Sequence, residues 1–94
     1  MKSILQDSKE CYVTGGTYNL HEHHVFGGTG LRKLSEKYGL KIWLRSDFHN
    51  MSDYGIHFDK EFDLEVKQMA QRKAMEYYGL TTEEFIKIFG RNYL

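Results

Sequence analysis

The spacing of apolar residues changes several times along this 94-residue chain, and each change marks an element. Residues 1–10 (MKSILQDSKE) are polar apart from Ile4 and Leu5, the pattern of a flexible N-terminal arm. Gly15-Gly16 separates Cys11-Tyr12-Val13 from Thr17-Tyr18-Asn19-Leu20, which predicts a turn or knuckle leading into a strand of about six residues. Gly27-Gly28 breaks that strand. Leu31, Leu34 and Tyr38 then recur at helical spacing and predict a short amphipathic helix that stops at Gly39. Leu40-Lys41-Ile42-Trp43-Leu44 alternates imperfectly and suits a second short strand, followed by a turn that Ser46 or Asp47 would cap. From Asp59, an N-cap candidate, Phe62, Val66, Met69, Ala70 and Tyr77 mark one face of a helix running to Gly79. Thr81-Thr82-Glu83-Glu84 has the spacing of a capping box, and Phe85, Ile88 and Phe89 form one stripe up to Gly90. That last helix should fold back onto the core.

No repeat, low-complexity tract or Pro/Ser-rich linker divides residues 11–94, so they read as a single α+β domain. Thirteen basic and thirteen acidic side chains balance to a net charge of zero, so any contact with nucleic acid must come from a local patch. No window approaches the roughly 20 apolar residues of a membrane span, and residues 1–10 lack the apolar centre of a secretory signal. The expectation is a cytoplasmic protein with no membrane partner. The lone Cys11 excludes an internal disulfide and fits a reducing compartment.

The candidate chemistry is concentrated in histidine. His21, His23 and His24 lie within four residues on the first strand, and His49-Asn50 follows the second. Imidazole is a common ligand of transition metals and the usual general base near neutral pH, so the two segments together suggest a hydrolytic metal site. Any one of these histidines alone is more simply a surface or satisfied core residue, and His21 in particular is expected at the surface. Neighbours on a strand point to opposite faces, so His23 and His24 could share one site only through a bulge or a strand end.

Glu22-His23-His24-Val25 after a Cys-containing knuckle, with His49-Asn50 at the start of a helix, resembles the HNH endonuclease superfamily. HEHHVFGG, RKLSEKYGL, HNMSDYGIHFDKEFDL and EEFIKIFGRNYL are similar to the small HNH proteins of phages and prophages of Gram-positive bacteria. The resemblance covers residues 11 to 94. It implies a ββα-metal unit, a β-hairpin plus helix, with the C-terminal helices packed on it. It further implies metal-dependent hydrolysis of DNA, with His24 as general base and His23, His49, Asn50 and His57 as candidate ligands of a divalent ion (Mg, Mn or Zn). Arg32, Lys33 and Arg45 are candidates for DNA phosphate contacts. For a phage-encoded chain the compartment would be the host cytoplasm.

Relatives of this kind commonly carry zinc-knuckle cysteines at the positions of Cys11 and Thr14 and a second ligand pair at those of Arg45 and Phe48. Only Cys11 remains, so no structural zinc is expected there. Thr14 can make turn hydrogen bonds and Phe48 can pack in place of the metal. The superfamily's middle asparagine, which orients the base, has no counterpart on Leu40-Lys41-Ile42-Trp43. The alternative is therefore a catalytically silent module on the same scaffold, engaging DNA or a phage or host recombination or packaging protein.

Overall fold

The computed structural model describes residues 1–94. The elements run β1 (Leu20–His24), α1 (Leu31–Tyr38), β2 (Lys41–Arg45), α2 (Ser46–His49), α3 (Lys60–Tyr78) and α4 (Thr82–Phe89). This is a small α+β domain in which β1 and β2 pair antiparallel and α1 is carried in their connection.

The helix boundaries follow from local chemistry. Asp59 caps α3 by accepting a hydrogen bond from the Phe62 N–H, and Gly79 closes it in the left-handed region. Thr81 and Glu84 form the reciprocal capping box at the start of α4. Gly39 ends α1 in the same left-handed manner as Gly79. At α2 the expected cap is absent. Arg45 takes the N-cap position without a side-chain bond, while the Asp47 carboxylate accepts from Arg45 Nε and Nη2 at 2.6 and 2.8 Å and from the Tyr54 hydroxyl at 2.7 Å. The strand that carries the histidines is also shorter than predicted, beginning at Leu20 after Asn19, whose φ is +51°.

One contiguous cluster of buried apolar side chains joins these elements. Phe26, just beyond β1, packs with ring centroids 5.8 Å from Phe85, 5.0 Å from Phe89 and 5.1 Å from Tyr93. Ser35 fixes α1 to the same point, accepting from the Phe26 N–H at 3.0 Å and donating to its carbonyl at 2.8 Å. From α3 the core receives Val66, Ala70 and Ala74, together with the buried Gln71. The Gln71 amide is satisfied by Asn92 Oδ1 at 2.7 Å and by the Tyr93 N–H at 2.8 Å, which secures the chain after α4. Tyr77, expected on the inner face of α3, is 64% exposed.

Residues 1–10, read from the sequence as a flexible arm, border the outer edge of β2. Ser3 Oγ donates to the Lys41 carbonyl at 2.6 Å, and the Trp43 N–H donates to Gln6 Oε1 at 2.7 Å. The knuckle continues this edge: the Tyr12 N–H donates to the Trp43 carbonyl at 2.8 Å, and the Arg45 N–H donates to Cys11 Sγ at 3.3 Å. Thr14 Oγ1 accepts from the Gly16 N–H at 3.2 Å, and Phe48 packs against the core. Ordinary hydrogen bonds and apolar packing thus close the knuckle around a free, buried Cys11.

Candidate metal centre

Each residue of β1 has one partner on β2: Leu20 with Arg45, His21 with Leu44, Glu22 with Trp43, His23 with Ile42 and His24 with Lys41. This uninterrupted register leaves no bulge in the paired segment, so the alternation of a strand applies in full. His21 and His23 share the inner face with Ile42 and Leu44. Glu22 and His24 share the outer face with Lys41 and Trp43. The two adjacent histidines consequently belong to different clusters.

On the inner face His23 meets His49 and His57. The single turn of α2 delivers His49, and the chain then doubles back so that the Ile56 N–H donates to the Phe48 carbonyl at 2.7 Å and the His57 N–H to the His49 carbonyl at 3.3 Å. One ring nitrogen from each of His23, His49 and His57 lies within 4.8 Å of the other two. His49 Nε2 and His57 Nε2 are 3.0 Å apart, close to the roughly 3.3 Å edge of a tetrahedral donor set at zinc–nitrogen distances. His23 is 5% exposed, and its Nε2 has no hydrogen-bond partner. Burying such an atom unpaired costs about 1–3 kcal/mol. A cation held by the three rings would satisfy it.

The tight return places Gly55 against α2. A Cβ there would lie 2.7 Å from the His49 carbonyl oxygen and 2.9 Å from its carbon. Gly55→Ala should therefore displace His49 and weaken metal binding at least tenfold, which a competition titration with a chromophoric chelator measures; an unchanged affinity would show that His49 is not held by this contact.

Burial, reinforced by the facing His49 and His57, lowers the His23 pKa to about 3. Burial, with His57 and His21 nearby, lowers that of His49 to about 4. Both rings are therefore neutral near pH 7, the form that ligates metals. In the unfolded chain these rings titrate near 6.5. Between that pH and the folded values the unfolded state binds more protons, so stability is complete above about pH 6.5 and is lost as the pH falls towards 3. Urea unfolding of metal-free protein should show a midpoint that declines steadily from pH 7 to pH 4, and His23→Phe should flatten that decline.

On the outer face, His24 Nε2 lies 3.1 Å from Glu36 Oε1 and 3.9 Å from Glu22. Glu22, His24 and Glu36 also have ligand-like spacing. Their centre is taken, however, because Lys41 Nζ sits 2.8 Å from Glu36 and 3.5 Å from Glu22. Hydrogen bonds from Lys41, the terminal ammonium and His24 hold the Glu36 carboxyl well below the usual carboxylate range. Glu36 is thus an anion that fixes the His24 ring.

The two clusters meet at one depression of about 250 Å³, bordered by Glu22, His23, His24, Gly27, Gly28, Arg32, His49 and His57. An adjoining depression adds Lys60 and Lys67 beside His57, with Lys67 paired to Asp63 at 2.7 Å. Of the residues singled out in the sequence, His23, His49 and His57 converge, and His24 and Arg32 border the same hollow. Asn50 is the exposed C-cap of α2 and is not in the triad. Lys33 is exposed on α1, and the Arg45 guanidinium is committed to its fork with Asp47. Two further participants lie outside the favoured set of site residues. Glu36 gives no sign in the sequence of facing His24, whereas His21, read as a surface residue, is half-buried with Nδ1 3.0 Å from His49 Nδ1. Strand alternation puts residues 21 and 23 on one face and allows a His21, His23 and His49 grouping, a minor alternative to the surface reading of His21.

The chain matches no family model, no curated protein and no solved structure. No helix is long and apolar enough to cross a membrane.

Proposed function

We propose that this chain is a metal-dependent endonuclease of the HNH type that hydrolyses DNA phosphodiester bonds. The observation that carries the reading is the convergence of His23, His49 and His57 around a buried, unpartnered His23 Nε2. Three imidazole nitrogens with no carboxylate favour a borderline ion such as zinc over magnesium, which prefers oxygen ligands. When bound, such an ion would polarise the scissile phosphate and stabilise charge on the leaving oxygen.

The remaining roles fall to the chain's own side chains. His24, oriented through Nε2 by Glu36, has Nδ1 left to take a proton from the attacking water. Glu36 supplies the orienting partner that the missing asparagine would have given. Arg32 and Lys60, on the rims of the adjoining depressions, meet the flanking phosphates. Because the three imidazole donors include no carboxylate, a bound ion would keep its charge for the phosphate, which suits a protein of zero net charge.

The test is a zinc and manganese titration of chelator-stripped protein, coupled to nicking of supercoiled plasmid. One ion per chain, with nicking that chelator abolishes and metal restores, supports the reading. Absence of metal binding in the folded protein removes it and leaves the silent scaffold.

A further inference from the structure

We propose that His21 is a positioning residue of the metal centre, selecting the tautomer of His49 that can ligate. The inference rests on the reading of His23, His49 and His57 as ligands. The His21 and His49 rings stand at 88° with centroids 5.1 Å apart, and their Nδ1 atoms are separated by 3.0 Å. Two imidazole nitrogens at that distance need one donor and one acceptor.

The other nitrogen of His49, Nε2, is the one that faces His57. It can bind an ion only without its proton, so a ligating, neutral His49 must carry hydrogen on Nδ1. That N–H has an acceptor in His21 Nδ1, provided His21 itself is protonated at Nε2. A different arrangement competes in the metal-free protein: His49 can carry its hydrogen on Nε2 and donate it to His57, which blocks the ligating atom. The open form pairs the His49 Nδ1–H with His21 in its Nε2–H tautomer, the one a histidine side chain ordinarily favours. The blocked form requires His21 in the less favoured Nδ1–H tautomer, and His21 thereby tips the balance towards the open form.

The strand makes the pairing economical in sequence. His21 and His23 are two residues apart on one face of β1, so the same register that presents His23 as a ligand sets His21 behind the next one. Ligating histidines elsewhere hand their second N–H to a carboxylate or a carbonyl, and losing that partner typically costs 10–100-fold in metal affinity. An imidazole in that role adds no negative charge, which keeps the site as attractive to phosphate as three bare histidines would be.

The experiment compares wild-type protein with His21→Phe, which keeps a ring but cannot accept, and His21→Asn, whose side-chain carbonyl can. Zinc affinity is read by chelator competition, and the His49 tautomer by nitrogen-15 NMR of the metal-free protein. The expected result is about a 10–100-fold weaker affinity in His21→Phe with substantial recovery in His21→Asn. The Nδ1–H form of His49 should dominate in wild type and lose its dominance in His21→Phe. Zinc binding by wild type with unchanged affinity in a folded His21→Phe would overturn the role of His21 alone. Failure of wild type to bind zinc or cobalt would overturn the ligand reading and this inference with it. Wild-type NMR showing His49 protonated at Nε2 overturns the inference without any variant, so a misfolded substitution cannot shield it.

Discussion

His24→Ala is expected to lower the rate of DNA cleavage by about 10²–10⁴-fold, the usual contribution of a positioned general base, while zinc affinity stays at the wild-type value. The two readouts separate because the register of β1 puts His24 and His23 on opposite faces, so removing one ring leaves the other ligands in place. The His24 side chain is 12% exposed and held by Glu36, which means that alanine removes both the proposed base and the partner of that carboxylate. Glu36→Gln should give a smaller loss, because an amide oxygen can still accept from the ring N–H and orient the ring. If His24→Ala cleaves at the wild-type rate, the proton must go elsewhere. If it instead loses zinc, the separation into two clusters is wrong.

Phe26→Ala should cost about 3–5 kcal/mol of folding stability, the range for truncating a fully buried aromatic side chain. Domains of this size have about 5–15 kcal/mol in total, so the variant should approach the edge of folding at 37 °C. The position is unusually consequential because Phe26 contacts Phe85, Phe89 and Tyr93 while its backbone is clasped by Ser35. The ring therefore links the end of the histidine strand, α1, α4 and the C-terminal segment. Urea unfolding at neutral pH measures the loss; a change below about 1 kcal/mol would mean that the cluster repacks around the gap.

Local signals made the helices legible. Asp59, Thr81 with Glu84, and the glycines at 39, 79 and 90 act within a few residues, and each stands where its chemistry predicts. Tyr77 shows where that reasoning fails. The buried positions of α3 follow Phe62, Val66, Ala70, Ala74 and Tyr78, a ladder of four-residue steps that turns by about 40° each time on a 3.6-residue helix. By the last turn the inner face has rotated away from Tyr77, a drift that depends on how the helix crosses its neighbours. The candidate site divides in the same manner. Strand alternation separates His23 from His24 without any tertiary information. By contrast, the approach of Glu36 to His24 and of His57 to His49 depends on how α1 and the turn after α2 fold back, which spacing does not encode.

The unbroken pairing of β1 with β2 has a consequence for how this segment can vary. Exchanging a side chain on β1 affects one position, but inserting or deleting a single residue between His21 and His24 shifts the alternation of every residue on one side of the change. Residues on that side would exchange faces, so that the inner pair of His21 and His23 or the outer pair of Glu22 and His24 would be split. Lineages of this protein should therefore accept length changes in the knuckle at Gly15-Gly16 or around Gly27-Gly28 while keeping the count from Leu20 to His24 fixed. A deep mutational scan that includes single-codon insertions would display that boundary directly.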